Sequence, residues 1–168
     1  MEGRSNNSGF GWEVDMEVVV REEIVFVSSL ENVWQRFADI DTMESFVGYG
    51  PIPGIAYATW IEGDGAQGSV REVTNTDGSK HREEVVAFDP HHRMEDRIFG
   101  FTSPFRFLVR EAHDTFEFRP DGDSTQLVRT VRFTLTSPLW WPVAALALAL
   151  FRRAVRRHHA SVAARLPG

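Results

Sequence analysis

The apolar residues of the chain fall into short stretches rich in Val, Ile and Phe, which are separated by clusters of Gly, Pro and Asp. This composition and spacing are typical of β-strands joined by turns. The dipeptide Asp77-Gly78 and the tetrapeptide at 120–123 predict two tight hairpins. The pattern predicts seven strands, at residues 15–27, 55–61, 69–76, 79–88, 93–101, 107–119 and 125–136.

Two short helices are predicted between the first and second strands. Ser28 and Glu31 have the spacing of a capping box, with Ser as the N-cap and Glu at the N3 position. Residues 41–44 repeat a cap signal, and the Gly- and Pro-rich segment 48–54 ends the second helix. The apolar residues at helical spacing in the first helix are Leu30, Val33, Trp34 and Phe37.

A long amphipathic helix is predicted at the end of the chain. Pro142 suits the first helical position, because the amide hydrogen that it lacks would have no partner there. From Pro142 the helix can run to about Leu166, which is about 24 residues and roughly 36 Å. Its predicted apolar face contains Val143, Ala147, Leu150, Phe151, Ala154, Val155, His158 and Val162.

The order of these elements predicts an α+β fold. A sheet of about seven antiparallel strands has one face to bury, and one long helix can cover it. A strongly curved sheet around a single helix leaves space at its open end, so we expect a cavity for an apolar small molecule. Residues 1–14, which are polar and rich in Gly, Ser and Asn, are predicted to form a flexible tail, and residues 15–168 a single domain.

The composition excludes several kinds of chemistry. The chain contains no Cys, so it has no disulfide, thiol nucleophile or thiolate metal ligand. Residues 139–168 carry five Arg and no acidic residue, whereas the rest of the chain carries 13 basic and 24 acidic residues. This acidic body argues against nucleic acid as a partner. Because the sequence near Met1 does not resemble a signal peptide, we expect a cytoplasmic protein.

The sequence predicts neither a metal site nor a cofactor. The histidines at 91–92 and 158–159 are adjacent pairs, and neighbouring residues do not easily share a ligand face. His81 and His113 are single strand residues that we expect to be exposed. Residues 63–68 are rich in Gly but precede a strand and lack the Lys of a phosphate loop, so they are predicted to form a turn.

Several stretches of the sequence resemble the START-like, helix-grip superfamily, and its polyketide cyclase/dehydrase-like branch is the most similar. The resemblance covers roughly residues 15–166 and implies a curved antiparallel sheet of about seven strands wrapped around a long C-terminal helix. The stretches that carry it are VWQRFAD at 33–39, GSVREV at 68–73, DG at 77–78, REEVV at 82–86, FDP at 88–90, residues 125–133 and the Pro-initiated last helix.

This resemblance implies two alternative functions. The superfamily includes lipid carriers, hormone receptors and aromatase/cyclases, which share the cavity rather than a catalytic motif. The chain is therefore expected to bind an apolar small molecule, lipid or polyketide-like, between the sheet and the last helix. The alternative is a polyketide cyclase, aromatase or dehydratase that uses acid/base chemistry there. Asp96 stands where related chains often carry an aromatic residue, and Arg129 where they often carry Trp.

Strand parity places three ionisable residues on the predicted cavity wall. If Arg119 pairs with Ser124 in the last hairpin, Asp114 faces Arg129 on the apolar side of the last strand, and Asp96 lies on the apolar side of the fifth strand. Two neighbouring carboxyl groups could serve as acid and base, with Arg129 holding an anion. The alternatives are a half-exposed salt bridge, or a register slip of one residue that turns all three outward.

The same parity predicts the residues that contact the ligand. A two-residue turn would pair Thr76 with Ser79 and set Arg71 opposite Glu84 on the concave side. The alternatives are a solvent-facing ion pair or a bulge that changes the pairing. His158 either touches the ligand or is a hydrogen-bonded core histidine. The other predicted contacts are Met94, Ile98, Phe116, Leu127, Val131, Phe133 and Phe151.

The last helix begins with an apolar stretch, residues 139–151, that is too short to span a bilayer. Trp140 and Trp141, followed by the Arg-rich residues 152–157, are typical of a helix at a membrane interface. The alternative is a core helix whose two Trp residues cap the cavity mouth. The expected partner is an apolar small molecule, and the sequence leaves open peripheral membrane contact and a homodimer.

Overall fold

The strands of the structure form one continuous antiparallel sheet. The structure is a computed structural model that describes residues 16–102 and 104–166, so the predicted tail at 1–14 lies outside the described residues. The strands are β1 (Glu17–Phe26), β2 (Ile55–Glu62), β3 (Val70–Asn75), β4 (Lys80–Asp89), β5 (Arg93–Phe99), β6 (Val109–Asp121) and β7 (Ser124–Leu135). Their order in the sheet is β1-β7-β6-β5-β4-β3-β2, so the predicted fold class is confirmed.

The helices lie where the sequence predicts them, but their caps differ. Helix α1 (Leu30–Ala38) begins after Ser29, whose hydroxyl accepts from the Asn32 N–H at 3.3 Å, so the N-cap is Ser29 and not Ser28. The second short helix is a 3₁₀ segment, Ile40–Ser45, capped by Asp39. A 3₁₀ turn, Pro138–Trp140, leads into the long helix α2 (Trp141–Ala163).

The connection between β3 and β4 contradicts the predicted two-residue turn. Asn75 pairs with Ser79, its N–H donating to the Ser79 carbonyl at 2.8 Å, so three residues form the loop. Gly78 occupies the left-handed region with φ +82°, as a three-residue hairpin with a bulge requires. The register therefore shifts by one residue, and Arg71 lies opposite Glu83 instead of Glu84. Because neighbouring residues of a strand point to opposite faces, this shift turns Glu84 outward.

The register of the last hairpin also differs from the prediction, but by two residues. Asp121 pairs with Ser124, which sets Arg129 opposite Phe116 and Asp114 opposite Val131. A shift of two residues keeps each side chain on its predicted face, because side chains alternate with a period of two. Asp114 and Arg129 are therefore diagonal neighbours on the concave face.

The concave face of the sheet packs against α2. Pairing irregularities in β2, β4 and β6 have the form of β-bulges, which increase the local twist of a sheet. The buried stripe of α2 is centred one residue later than predicted at its start, so Val143 is 51% exposed and Ala144 is buried instead. The buried residues of α2 are Ala144, Ala154, Val155, His159 and Val162.

Candidate ligand-binding site

An internal cavity lies between the concave face of the sheet and the first half of α2. Its volume is about 150 Å³, and hydrocarbon and aromatic side chains form most of its lining. We call it the apolar chamber. Its apolar lining includes Val18, Ile52, Ile98, Phe105, Leu108, Val131, Phe133, Ala147, Leu148 and Phe151.

A second cavity of about 90 Å³ is lined by Arg36, Phe37 and Ala38 of α1 and by His158 in the second half of α2. We call it the charged chamber, because three guanidinium groups and three carboxyl groups line it alongside aromatic residues. The two chambers adjoin, since six residues contribute to the lining of both. These residues are Phe46, Ile55, Glu83, Ile98, Asp114 and Arg129.

One part of the shared wall is a buried ion pair between Arg129 and Asp114. The Arg129 Nη2 atom donates to Asp114 Oδ2 at 2.6 Å, and Nε lies 3.0 Å from Oδ1. Phe116 stacks on the guanidinium, with 4.7 Å from Cζ to the ring centroid. Burial raises the pKa of Asp114, and the charge of Arg129 offsets this only in part. The residues that the sequence predicts to face each other do form a contact.

The other part of the wall is a branched ion pair centred on Arg71. Its Nη2 atom lies 2.6 Å from both Glu83 Oε2 and Asp96 Oδ2, and its guanidinium lies over the ring of Trp60 at 5.3 Å. His81 adds a contact of 3.0 Å from its Nε2 to Glu83 Oε1. One guanidinium thus serves two carboxyl groups at once.

The two carboxyl groups on Arg71 differ in acidity. Burial would raise the pKa of Glu83, but Arg71 and His81 outweigh it and lower the pKa to about 2. Burial also acts on Asp96, where Arg71 compensates less and the charges of Glu83 and Asp114 add to the effect, so the pKa rises to about 7. Asp96 is therefore the carboxyl group of this wall whose protonation changes near neutral pH.

Two of the predicted site residues lie elsewhere. Glu84 is half-exposed on the convex face, where its carboxylate lies 3.7 Å from Arg97. Leu127 is fully buried in a core cluster with Phe26 and Phe118 and lines neither chamber. The predicted turn was one residue too short, and this error placed Glu84 on the wrong face of the sheet. For Leu127, strand parity correctly identifies the face of the sheet. It does not show that this end of the strand packs in the filled core and not along a cavity.

The remaining predicted contacts divide between the chambers. Val131, Phe133 and Phe151 line the apolar chamber. Met94, Phe116 and His158 line the charged chamber together with Arg71 and Asp96, whereas Ile98 contributes to both.

Glu83 and His81 line the cavity but were not predicted from the sequence. Both lie on the concave face, and the side chain of His81 is only 11% exposed, so the prediction that His81 is exposed was wrong. His113, on the convex face, is partly covered and contacts Glu95 at 3.0 Å. Knowing that Gly78 closes a three-residue loop would have placed Glu83 and His81 inward.

His158 lies at the boundary of the charged chamber. Its Nε2 is 2.9 Å from the Ser45 hydroxyl oxygen, while its Nδ1 is buried and has no hydrogen-bond partner. Phe37 and Phe46 pack edge-on against the ring, each at 5.7 Å between centroids. Burial, together with the charge of Arg129, lowers the pKa of His158 to about 3, so the ring is neutral at physiological pH.

Residues 63–68 form the predicted turn, in which the Ser69 hydroxyl accepts from the N–H groups of Asp64 and Gly65 at 3.2 and 3.1 Å. Within residues 16–102 and 104–166, no group of three His, Asp or Glu side chains is arranged to hold a metal ion. Across the same residues, no helix is long and apolar enough to cross a bilayer.

An antiparallel sheet that grips one long C-terminal helix around an internal cavity defines the START-like, helix-grip class of protein. The sequence pattern of the family described as polyketide cyclase/dehydrase and lipid transport matches residues 17–167, and the chain belongs to this family. At the level of the family, this membership supports the binding of a hydrophobic small molecule.

Solved structures share the fold at low sequence identity. Ara h 8.0201 superposes with a TM-score of 0.69 at 15% identity, over 89% of this chain and 97% of that chain. Norcoclaurine synthase from Thalictrum flavum, in complex with dopamine and hydroxybenzaldehyde, gives 0.65 at 16% identity, over 89% and 86%. Protein CV1439 from Chromobacterium violaceum gives 0.62 at 16% identity, over 89% and 98%. No protein with a curated description matches the sequence.

Proposed function

We propose that this protein binds an apolar small molecule, lipid or polyketide-like, in the cavity between the sheet and α2. The apolar chamber carries this proposal. Protein interiors are packed to the density of organic crystals, so a cavity of about 150 Å³ is far larger than ordinary packing leaves. Concave sites lined mainly by apolar and aromatic side chains, with a few polar groups, are the usual form of a small-molecule site.

Blocking the apolar chamber tests the proposal. Ala147 lies on α2 and lines the chamber, whereas Ala145 is exposed two residues earlier. Ala147→Phe places a ring in the chamber, and Ala145→Phe adds the same ring at the surface. We expect wild type and Ala145→Phe to bind the neutral apolar dye Nile red saturably. Ala147→Phe should bind it at least about tenfold more weakly, because a loss of about 1.4 kcal/mol in binding free energy produces that change. Equal affinity in all three would refute the proposed site.

A second candidate function is acid/base catalysis on a polyketide-like substrate, and the position of Asp96 favours it. The pKa of Asp96 is raised by burial to about 7, where a group can both accept and donate a proton, whereas Arg71 and His81 lower the pKa of Glu83 to about 2. In an aldol-type cyclisation, Asp96 would take the proton next to one carbonyl while Arg129 holds the enolate oxygen. The enolate carbon would then bond to a second carbonyl carbon, and protonated Asp96 would return its proton to the alkoxide oxygen formed there. Asp114 would position Arg129.

Turnover assays on a poly-β-carbonyl substrate separate the two functions. If catalysis occurs, we expect Asp96→Asn to lose turnover by at least about a hundredfold while retaining ligand affinity, as expected for loss of an acid/base group. An Arg129→Met variant that leaves both ligand affinity and any turnover unchanged would exclude the cluster from the site altogether.

A membrane role for α2 remains a prediction that the surface favours. The start of α2 and the turn before it expose Leu139, Trp140, Trp141 and Leu146, with Leu139 88% exposed. A bilayer interface or a second copy of the chain could cover them. Leu139→Ser/Leu146→Ser should abolish co-sedimentation with anionic vesicles at low salt if a membrane does so, whereas a concentration-dependent mass in solution would indicate a dimer.

A further inference from the structure

The charges in the charged chamber are unevenly paired. Its lining contains three guanidinium groups, Arg36, Arg71 and Arg129, and three carboxyl groups. Arg71 is shared by two carboxyl groups, and Arg129 holds the third. Arg36, which reaches the chamber from α1, has no carboxylate partner among the described residues. Among the described residues, the guanidinium of Arg36 is therefore without a carboxylate, and Glu83 and Asp96 share the single guanidinium of Arg71.

Hydrogen-bond donors at this end of the cavity are also unpaired. The Nε of Arg36 and the Nδ1 of His158 are buried without a hydrogen-bond partner. When Ser45 donates to His158 Nε2, the single proton of the neutral ring is on Nδ1, which makes that atom a donor. The Nη1 of Arg129 makes no hydrogen bond to a described residue. Buried donors without an acceptor cost stability, and an oxygen-bearing ligand group would satisfy them.

The residues that carry these three donors line the same chamber. Phe46 contacts two of them, because its ring centroid lies 5.7 Å from that of His158 and 6.0 Å from the Cζ of Arg129. Arg36, Arg129 and His158 come from α1, β7 and α2, so three different elements contribute a donor residue to this chamber. Two guanidinium groups and a neutral donor form a suitable site for a carboxylate, to which Arg hydrogen bonds are strong.

An entering anion would change the charge balance. With all three carboxyl groups ionised, three positive and three negative charges cancel, so an added carboxylate leaves one excess negative charge. Protonation of one carboxyl group restores neutrality, which a buried site favours because an uncompensated charge is costly there. Asp96 is the carboxyl group placed for it, because its Oδ1 has no hydrogen-bond partner among the described residues. The charged and titratable groups around it are Arg36, Arg71, His81, Glu83, Asp114, Arg129 and His158.

We propose that the charged chamber holds the carboxylate of an amphipathic ligand whose hydrocarbon part occupies the apolar chamber, and that Asp96 takes up a proton as this anion binds. This inference rests on the proposed function, because it requires the apolar chamber to bind the hydrocarbon part. The pKa of Asp96, raised to about 7 by burial and by Glu83 and Asp114, places this proton uptake in the physiological range. His158, with its pKa near 3, stays neutral throughout.

Titration calorimetry with decanoate and 1-decanol tests the inference. The two probes have the same chain and differ only in the charged end. We expect decanoate to bind at least about tenfold more tightly than decanol at pH about 6, consistent with a charge-assisted hydrogen bond. Decanoate affinity should fall about tenfold as the pH rises from about 6 to about 8, because an acid with a pKa near 7 must then be protonated on binding.

The proton itself is measured by repeating the titration in buffers of different ionisation enthalpy. Near pH 8 we expect uptake approaching one proton per decanoate, and near pH 6 almost none, since Asp96 is then already protonated. Asp96→Asn should bind decanoate with no proton uptake and no pH dependence over this range, at the affinity that wild type shows at low pH. Decanol affinity should be the same in both proteins.

Arg36 provides a matched pair of charge variants. Arg36→Gln should weaken decanoate binding by about tenfold and leave decanol binding unchanged. Arg157→Gln, which removes the same charge from an exposed position on α2, should change neither.

The outcomes separate the inference from the proposed function. If decanol binds as tightly as decanoate, or if decanoate binds without pH-dependent proton uptake, the inference is wrong and the apolar site stands. If decanoate, decanol and Nile red all fail to bind, the proposed function fails with it.

Discussion

The apolar chamber and the charged chamber share one sheet, one helix and six lining residues. They differ in how their walls reduce the stability of the folded protein. The apolar chamber has a large volume and few polar atoms, so its walls lack the dispersion contacts that a filled core would provide. The charged chamber removes guanidinium and carboxyl groups from water, and such desolvation is expensive even when the ions are paired. Neither arrangement maximises stability.

The difference also shows where specificity can arise. An apolar wall distinguishes ligands by size and shape, and one methylene changes binding by only about 1–3 kcal/mol. A wall of buried ions distinguishes them by charge and hydrogen bonding. Under the proposed function, the junction formed by Glu83, Asp114 and Arg129 would divide a region that selects the ligand skeleton from one that selects its polar end.

The largest expected effect comes from removing Arg129 from the shared wall. Arg129→Met leaves Asp114 buried without its partner, so we expect the free energy of unfolding to fall by about 3–5 kcal/mol. Arg129→Met/Asp114→Leu removes both charges and should recover most of this loss. Urea unfolding of both variants measures it, and equal losses in the single and double variants would show that the pair is not buried in solution.

The next effect tests the inward position of Glu83. Glu83→Gln removes a fully buried charge from Arg71 and should cost about 2 kcal/mol. Glu84→Gln acts on the half-exposed convex face, and we expect a change below about 0.5 kcal/mol. The two adjacent substitutions are compared by chemical denaturation. A larger effect for Glu84→Gln would support the register of a two-residue turn, in which Glu84 and not Glu83 faces Arg71.

An effect of about the same size concerns Asp96 and depends on pH. Its pKa rises on folding from 3.8 to about 7, so the folded state holds this proton more tightly than the unfolded state does. The contribution of this group to stability is therefore greatest below pH 4 and declines as the pH rises to about 7. We expect Asp96→Asn to raise the free energy of unfolding by about 2 kcal/mol more at pH 8 than at pH 5, because each pKa unit between pH 5 and the folded-state pKa contributes about 1.4 kcal/mol. Equal effects at both pH values would contradict the raised pKa.

The smallest expected effect is in the apolar chamber. Leu148 is partly buried and already borders a cavity, so Leu148→Ala should cost about 1 kcal/mol or less. Leu127→Ala, in the filled core, should cost about 2–5 kcal/mol. Thermal and urea unfolding compare the two. Similar losses would mean that the apolar chamber closes around Leu148 in solution.

Local sequence signals were sufficient for the elements and the fold class. Runs of Val, Ile and Phe between Gly, Pro and Asp clusters located all seven strands, and Pro142 located the start of the last helix. These signals depend on backbone conformations and side-chain periodicity within a few residues, so the elements can be predicted without tertiary information. Parity also put Asp96, Asp114 and Arg129 on the concave face, since an error of two residues in the last hairpin does not change which face a side chain occupies.

What the sequence alone determined is therefore the order of elements, the helix-grip architecture and the face on which most inward residues lie. Only the tertiary structure decided which carboxyl groups meet which guanidinium groups, because that depends on register, and register depends on the conformation of single loop residues such as Gly78. It also decided that the space on the concave face has an apolar part and a charged part. The curvature of the sheet and the placement of α1 and α2 set that division, and both result from packing over the whole chain.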